Sequence, residues 1–402
     1  MSIQMRPLKV SAFTLTTALG EGVNANWQAL QAARTGLKPC DVFDIADLNT
    51  WVGEVAGVNT HVISGALQDF ACRNNNLADL ALAQDDFSQR VEEAVAKYGA
   101  DRVAVYLGTS TSGIQHTEMA YAERHRVGDG EHDLPEWYRY ESTHNLYSPV
   151  DFVRQRFGIQ GPCMSISTAC SSSAKVFAAA QRAIGAGLID AAVVGGVDSL
   201  CFTTLYGFNS LQVVAEDICR PSDAQRGGIS IGEAAGFALV ERDGLASGDA
   251  VLLGFGESAD AHHMSTPHPE GLGAKLAMQG ALDRAGLAAN QIGYVNLHGT
   301  GTVANDASES LGVHALFGDV PCSSTKGWTG HTLGAAGIVE SIFCLLSLEH
   351  SWLPQSLNTR DVDPDIHANI LQAPVALKEK YVLTNSFGFG GSNCSLVFGV
   401  AP

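Results

Sequence analysis

Charged residues are scarce in this 402-residue sequence, and basic residues are the scarcer kind. Lysine and arginine together number 24 against 42 aspartates and glutamates, which leaves a formal net charge of −18. A surface with this excess of negative charge repels polyanions, so nucleic acid and anionic membranes are excluded as main partners. An acidic protein partner would need a local cluster of lysine and arginine.

Long apolar runs and paired cysteines are also missing. The opening Met1-Ser-Ile-Gln-Met-Arg6 lacks the apolar core of a secretion signal, and no uninterrupted apolar run approaches the roughly 20 residues of a membrane span. The nine cysteines include no Cys-x-x-Cys pair, which argues against a zinc site and a disulfide framework. We therefore expect a cytoplasmic protein without a bound metal.

What the sequence does contain is typical of a tightly packed α/β protein. Hydrophobic residues make up 46% of the chain, and 43 glycines supply loops. We predict strands at 7–15, 102–107, 164–167, 190–198 and 292–297, and helices at 24–33, 77–98, 175–185, 274–285 and 333–343. Strands that alternate with helices predict right-handed crossovers in a parallel sheet. Residues 118–147, rich in charges and aromatics, are predicted to form a surface excursion or lid.

Cys170 lies at a predicted turn between the strand 164–167 and the helix 175–185. Unpaired backbone N–H groups and the positive end of the helix dipole favour a thiolate there, so we expect the pKa of Cys170 to lie below its usual value of about 8.5. A small buried apolar residue is the other interpretation of any single cysteine. The three serines that follow Cys170 favour a nucleophile.

Two histidines in the second half follow glycine-rich or strand-ending segments. The strand 292–297 ends at His298, where α/β folds collect their functional groups. His331 closes a polar segment before a helix of small residues. Taken singly, each histidine is more simply explained as a surface residue or a hydrogen-bonded structural residue, as most of the 13 histidines should be.

Other polar segments accompany the histidines. Lys326 alone would be a solvated surface residue, whereas Glu340 on an apolar helix needs a partner such as Lys326. The glycine turn at 385–393 follows a strand, and its free N–H groups are suited to binding an anion. Phe389 in this turn is most simply explained as a core residue. The loop Gly108-Thr-Ser-Thr-Ser-Gly113 lacks the lysine of a P-loop and is a weak indication of phosphate binding.

Taken together, four segments in order resemble the β-ketoacyl-acyl carrier protein synthases, the decarboxylating condensing enzymes of the thiolase superfamily. The match covers the chain from about residue 100 to its end. The segments are Thr168-Ala-Cys170-Ser-Ser-Ser173, His298-Gly-Thr-Gly-Thr302, Lys326-Gly-Trp-Thr-Gly-His331 with Leu333-Gly-Ala-Ala-Gly337, and Asn385-Ser-Phe-Gly-Phe-Gly-Gly391.

The resemblance implies a thiolase-like five-layer α-β-α-β-α sandwich of two similar halves, which we divide at residues 1–245 and 246–402. It implies that Cys170 carries the acyl chain as a thioester, while His298 and His331 promote decarboxylation of malonyl-acyl carrier protein and stabilise the enolate. The other implied roles are an oxyanion hole from the N–H groups of Cys170 and Phe389, ordering of the site by Lys326 and Glu340, phosphopantetheine contacts from Thr300 and Thr302, and substrate contacts from Phe387, Gly388 and Gly390.

This chemistry needs a nucleophile that holds the acyl group and donors for two developing oxyanions, but no metal. Burial that lowers the pKa values of the histidines would keep both as neutral donors. The resemblance implies no bound cofactor, because the phosphopantetheine of acyl carrier protein delivers the substrates. It also implies a homodimer, with a heterodimer of related ketosynthases as the alternative.

Some segments depart from the family pattern. Residues 115–147 do not match, the opening strand is short and lacks the family's Thr-Gly turn, and Gly232-Glu-Ala-Ala replaces the commoner Gly-Glu-Gly-Ala. These departures leave the substrate range open between housekeeping fatty acid synthesis and a specialised polyene pathway, such as that of aryl polyenes.

Three other classes compete with this interpretation. A degradative thiolase would carry a second catalytic cysteine in the C-terminal glycine turn, where this chain has Phe387 and Phe389. A non-catalytic chain-length partner subunit typically lacks the nucleophile that Cys170 provides. A papain-like protease orders its cysteine and histidine differently and does not need two histidines.

Recognition of an acidic carrier protein requires local basic residues on this acidic chain. Arg73, just before the helical segment that starts at Leu77, is our candidate for carrier-protein docking. Its alternative interpretation is a solvated surface arginine.

Overall fold

Strands and helices fill most of the chain in the computed structural model, which describes residues 5–43, 45, 48–127 and 131–401. The strands are β1 (Leu8–Thr17), β2 (Gly20–Glu21), β3 (Leu37–Pro39), β4 (Trp51–Gly53), β5 (Val103–Gly108), β6 (His125–Val127), β7 (Glu131–Asp133), β8 (Cys163–Ile166), β9 (Ala191–Asp198), β10 (Ile231–Gly232), β11 (Ala234–Glu241), β12 (Ala250–Ala259), β13 (Tyr294–Asn296), β14 (Pro321–Ser323), β15 (Trp352–Leu353), β16 (Asn369–Ile370), β17 (Val375–Ala376), β18 (Tyr381–Gly388) and β19 (Ser392–Val400). The α-helices are α1 (Gly22–Gln31), α2 (Arg73–Leu82), α3 (Phe87–Tyr98), α4 (Ile114–Glu123), α5 (Tyr140–Thr143), α6 (Ser148–Arg156), α7 (Ser172–Gly185), α8 (Phe202–Ser210), α9 (Leu272–Ala285), α10 (Val303–Phe317), α11 (Lys326–Thr329) and α12 (Ala336–His350).

Two sets of five strands repeat the same order and the same directions. The first set runs β8-β5-β9-β11-β1, and the second runs β14-β13-β18-β19-β12. In the first set β11 pairs antiparallel with both of its neighbours, β1 and β9, and the other two pairings are parallel. In the second set β19 pairs antiparallel with both of its neighbours, β12 and β18, and the other two pairings are parallel. The sets meet edge to edge where β1 pairs with β12 at Leu8 and Lys9. The repeat explains why strands and helices alternate similarly in both halves of the sequence.

Helices α7 and α12 form the middle layer, packed against each other and against strands of both sets. The largest apolar cluster surrounds them, and two further clusters lie under the outer helices: one includes residues of α2, α3 and α6, and the other residues of α9 and α10. The predicted α/β five-layer sandwich is therefore confirmed. The exact division of the halves, at 245 and 246, stays a prediction.

The middle layer is tightly packed because its helices carry small residues. A Cβ added at Gly337 of α12 would lie 2.8 Å from the Cβ of Ala174 on α7, so only glycine permits this approach. Among the described residues, one helical window, Leu333–His350, has the length and apolar composition of a membrane span, and 89% of it is buried inside the protein. Glu340 lies within this window, so the window is not the uninterrupted apolar run whose absence the sequence showed.

Two predicted segments differ from the structure. The predicted helix 77–98 is two helices, α2 and α3, because Asp85 and Asp86 between them both adopt left-handed φ angles of 56° and 54°. The excursion at 118–147 contains the end of α4, the short strands β6 and β7, and α5. Glu118 of α4 accepts hydrogen bonds from the first N–H groups of α8, which ties the excursion to that helix.

Arg73 opens α2, but its surroundings do not fit the predicted docking role. Its guanidinium donates to both carboxylate oxygens of Glu233, at 2.8 and 2.6 Å, and the Arg73 side chain is only 10% exposed. The fully buried Glu233 also accepts the N–H groups of Val55 and Leu200. Arg73 is therefore corrected to a structural residue that neutralises the carboxylate of the Gly232-Glu233 turn.

We expect Arg73→Ala to lower the free energy of unfolding by about 3–5 kcal/mol, because it leaves the buried Glu233 carboxylate without a cation. Urea unfolding followed by fluorescence measures this loss. The matched control is Arg90→Ala, which removes an exposed ion pair with Glu93 on α3 and should cost less than about 1 kcal/mol. Equal effects of the two substitutions would contradict the structural role of Arg73.

Candidate active site

The turn that presents Cys170 is held by the polar residues around it. Ser172 accepts the N–H of Thr168 at 2.9 Å and donates to the carbonyl of Ala169 at 2.6 Å. Ala169 has a left-handed φ of 52°, which costs a non-glycine residue about 1–2 kcal/mol. Ser171 donates to the carbonyl of Thr168. The serines therefore stabilise a strained turn that places Cys170 just before α7, as predicted.

The protonation state of Cys170 differs from our expectation. Burial raises the pKa of the thiol to about 12, and the negative charges of Asp198 and Glu340 act in the same direction. The positive charge of Lys326 and a hydrogen bond from the N–H of Phe389 lower the pKa by less. The expected stabilisation by the helix N-terminus is thus outweighed by loss of solvent, and the resting group is the thiol.

His298 and His331 lie beside Cys170. The sulfur and one nitrogen of each ring are all within 4.8 Å of one another, and the two ring centroids are 5.3 Å apart in a T-shaped arrangement. All three side chains are buried. Only Leu297 separates His298 from the end of β13, which agrees with the predicted strand-end position. His331 lies between α11 and α12.

Hydrogen bonds at Nδ1 determine which nitrogen of each ring carries hydrogen. Nδ1 of His331 accepts the N–H of Leu333 at 3.2 Å, and Nδ1 of His298 faces the Nζ of Lys326, a donor, at 3.3 Å. A neutral imidazole whose Nδ1 accepts must carry its hydrogen on Nε2. Both rings therefore present Nε2–H donors, whereas a metal ion would need the lone pairs that these hydrogens replace.

Both histidines are kept neutral by their surroundings. Burial lowers the pKa of His298 well below its usual value, and the charge of Lys326 and the neighbouring His331 lower it further. The pKa of His331 is lowered well below its usual value by burial and by Lys326. Neutral N–H donors stabilise an oxyanion without transferring a proton, as we expected for these positions.

Lys326 and Glu340 form the buried ion pair that we predicted. Nζ of Lys326 donates to Glu340 and to the carbonyl oxygen of His298, and both charged side chains are only 2% exposed. Burial raises the pKa of Glu340 to about 7, and the charge of Lys326 opposes that rise. The pair therefore connects the middle-layer helix α12 directly to the His298 loop.

Glu309 is a site residue that our sequence reasoning missed. Its two carboxylate oxygens accept the N–H groups of His298 and Gly299, each at 2.8 Å, and Asn385 donates to it at 3.0 Å. Burial raises the pKa of Glu309 to about 7. Glu309 lies on α10, eleven residues after His298, and the signal that could have found it is a carboxylate on the helix that follows the segment His298-Gly-Thr-Gly-Thr302.

A cavity of about 200 Å³ brings the predicted substrate contacts together. Its lining includes Cys170, His298, Thr300, Thr302, His331, Phe387, Gly388, Phe389 and Gly390. The hydroxyl groups of Thr300 and Thr302 hydrogen-bond each other at 2.8 Å. Phe389 is 37% exposed rather than a core residue.

The glycine turn offers fewer free donors than we predicted. The N–H of Gly390 donates to the carbonyl of Met264 at 2.7 Å, and that of Gly391 donates to Gly388 at 3.0 Å. The N–H of Phe389 instead points to the sulfur of Cys170. One amide of this turn is therefore directed at the site where an acyl oxygen would form.

The high thiol pKa predicts an unusual pH dependence of alkylation at Cys170. Because only the thiolate reacts, the rate with iodoacetamide should rise about tenfold per pH unit from pH 7 to 10 without a plateau. Peptide mass spectrometry at timed intervals measures this rate, and alkylation of Cys40 on the same chain provides an internal reference. A plateau at Cys170 below pH 8 would show a thiolate at rest.

Comparisons with known proteins show the family of this chain. The model of the beta-ketoacyl synthase N-terminal domain matches residues 5–246, and that of the C-terminal domain matches residues 249–360. The chain is 30% identical to 3-oxoacyl-acyl-carrier-protein synthase 2 of Vibrio cholerae serotype O1, covering 98% of this chain and 99% of that protein.

Solved structures show the same fold over nearly the whole length. One chain of the complex of the ketosynthase ApeO with its chain length factor ApeC, from Xenorhabdus doucetiae, superposes with a TM-score of 0.88 at 38% identity, covering 98% of each chain. A beta-ketoacyl synthase from Burkholderia phymatum STM815 superposes with a TM-score of 0.86 at 27% identity, covering 99% of this chain and 100% of that one. The chain therefore belongs to the β-ketoacyl-acyl carrier protein synthases, the condensing acyltransferases that our sequence comparison indicated.

Proposed function

We propose that Cys170, His298 and His331 carry out the two half-reactions of a decarboxylative condensation in this chain. The observation that carries the proposal is the approach of the Cys170 sulfur and the two imidazoles to within 4.8 Å in one cavity. A nucleophile and two neutral donors at this separation suit a reaction in which two thioesters must meet.

In the first half-reaction, Cys170 attacks the carbonyl carbon of an acyl thioester. The N–H of Phe389, already directed at the sulfur, stabilises the oxyanion that develops. The bond from carbon to the pantetheine sulfur then breaks, and the proton of Cys170 passes to that leaving sulfur. The attacking species is the small thiolate fraction that a pKa of about 12 leaves, and the proton lost when it forms ends on the leaving sulfur, so the exchange consumes no base overall.

In the second half-reaction, a malonyl thioester places its carbonyl oxygen on the Nε2–H groups of His298 and His331. The bond to the carboxylate breaks, carbon dioxide leaves, and the electron pair forms an enolate that the two donors stabilise. The enolate carbon attacks the thioester on Cys170, so that a carbon–carbon bond forms as the carbon–sulfur bond breaks. The released thiolate takes up one proton from solvent, favoured by its high pKa.

Delivery of both substrates on acyl carrier protein is part of the same proposal. Thr300 and Thr302 line the cavity beside the histidines and present hydroxyl groups that suit the amides of a phosphopantetheine arm. No separate cofactor is required by these steps. We do not assign carrier-protein docking to Arg73, because its guanidinium is paired with the carboxylate of Glu233. A cytoplasmic location stays a prediction.

Exposed apolar side chains support a dimer. Met164 on the outer strand β8 is 47% exposed, and Met119 on α4, Phe202 and Tyr206 on α8 are also exposed. We propose that a second ketosynthase chain covers these residues, an identical copy in the simplest case.

A related but different chain is the second candidate, since identity is 38% to a chain of the complex between ApeO and its chain length factor and 30% to the Vibrio synthase. Such a heterodimer would suit a specialised polyene pathway.

Replacing Cys170 with Ala should abolish condensation, because no thioester can form on the enzyme. Cys170→Gln should also abolish condensation but retain decarboxylation of malonyl-acyl carrier protein, since the two histidines remain. Intact-protein mass spectrometry measures acylation, and carbon dioxide release measures decarboxylation. Cys40→Ala is the matched control and should keep both. An acyl thioester on the Cys170→Ala protein would refute the assignment.

His298→Ala and His331→Ala should each reduce decarboxylation about 100-fold or more, the loss that follows removal of one oxyanion donor. Acylation of Cys170 should fall much less, because the Phe389 N–H stabilises that step. His314→Ala, on the exposed face of α10, serves as the control. A histidine variant that loses acylation and retains decarboxylation would reverse the proposed roles.

A further inference from the structure

We propose that Asp198 is a positioning residue for His331, because its carboxylate holds the turn whose N–H groups orient that imidazole. The inference rests on the proposed function of His331 as an enolate donor. Asp198 lies at the carboxyl end of β9, outside the cavity lining. It therefore acts on the reaction through His331 and not by touching the substrate.

The carboxylate of Asp198 is fully buried and surrounded by neutral donors. One oxygen accepts the hydroxyl of Thr109 at 2.7 Å and both the N–H and the hydroxyl of Thr111 at 2.8 Å. The N–H of Ser110 reaches the same oxygen at 2.8 Å. The other oxygen accepts the N–H of Gly334 at 2.5 Å. A buried carboxylate with this many donors is a rigid centre of its surroundings.

These contacts explain the glycine- and threonine-rich loop at 108–113. Its N–H and hydroxyl groups suggested a weak anion site in the sequence, and the structure directs them at an internal anion, the Asp198 side chain. The loop continues β5, which pairs with β8 ahead of Cys170. Asp198 thus joins the cysteine side of the cavity to the segment after His331.

The link to His331 passes through two consecutive backbone groups. Leu333 has a left-handed φ of 53°, a strained value for a leucine, and its N–H donates to Nδ1 of His331. The next N–H, of Gly334, is the one that Asp198 accepts. A Cβ at Gly334 would lie 2.6 Å from the Asp198 oxygen, so the carboxylate is seated directly against this turn. Holding Gly334 therefore keeps the Leu333 N–H on the imidazole.

Neutralising Asp198 should slow decarboxylation while leaving acylation nearly unchanged. An asparagine has one acceptor oxygen and a donating NH₂ group, so it cannot serve both Gly334 and the 108–113 loop. Release of Gly334 frees the Leu333 N–H, and His331 then reaches the tautomer without hydrogen on Nε2. The charge of Asp198 raises the pKa of Cys170, so its removal should make the thiol more reactive.

The experiment measures both partial reactions in Asp198→Asn. In a Cys170→Gln background, carbon dioxide release from malonyl-acyl carrier protein should fall about 100-fold, as for loss of one oxyanion donor. With Cys170 present, acylation should stay within about twofold of wild type, and iodoacetamide alkylation at pH 8 should be faster. Nitrogen-15 NMR of labelled histidine should show His331 moving from Nε2–H toward Nδ1–H, a change that general loss of stability does not produce.

Asp223→Asn is the matched control, since Asp223 is also buried and accepts three backbone N–H groups, from Gln225, Arg360 and Asp361. It should leave both partial reactions and the His331 tautomer unchanged. Gly334→Ala tests the same contact from the other side, because its Cβ displaces the carboxylate while leaving its charge. It should reduce decarboxylation without accelerating alkylation, and it replaces Asp198→Asn if that protein does not fold.

The proposal is overturned if both partial reactions fall together in Asp198→Asn, if decarboxylation is unchanged, or if the His331 tautomer stays on Nε2. Failure of the proposed function is distinguished by the parent Cys170→Gln protein. If that protein, with Asp198 intact, releases no carbon dioxide, then the histidines lack the assigned role and the result says nothing against the contact between Asp198 and Gly334.

Discussion

The site depends on one ammonium group buried beside two imidazoles. Lys326 is fixed by Glu340 from the central helix and by the carbonyl oxygen of His298, so its position is determined by both the core and the catalytic loop. Its charge lowers the pKa of both histidines and makes Nδ1 of His298 an acceptor. Removing either member of such a pair leaves an uncompensated charge in the core, at a cost of about 3–5 kcal/mol.

A neutral site follows from this arrangement. The thiol of Cys170 has a raised pKa, and both imidazoles have lowered pKa values, so none of these three groups is charged at neutral pH. The two half-reactions develop negative charge on oxygen, and preorganised neutral donors stabilise such charge without the reorganisation that a proton transfer requires. In the mechanism we propose, Cys170 exchanges one thioester for another, and this exchange conserves protons until the final release of the thiolate.

The sequence predicted which residues meet in the cavity better than it predicted their local geometry. Residue types in four ordered segments indicated Cys170, His298, His331 and Lys326, and Glu340 was indicated because a carboxylate on an apolar helix needs a partner. The pKa of Cys170 was predicted in the wrong direction, since the helix N-terminus is visible in a sequence and the extent of burial is not. The docking role predicted for Arg73 does not fit the structure for a related reason. Its partner Glu233 is 160 residues away in the sequence, and only the fold shows their contact. Asp198 accepts neutral donors from two distant segments, the 109–111 loop and Gly334, and no spacing rule reveals such a junction.

The central claim is that both histidines present hydrogen on Nε2 next to a protonated Lys326. Neutron diffraction from deuterated crystals tests it most directly, because deuterium atoms on the imidazoles and on Nζ become visible. The account predicts one deuterium on Nε2 and none on Nδ1 in both His298 and His331, with three on Nζ of Lys326. Deuterium on Nδ1 of either ring, or on both nitrogens of one ring, would contradict it.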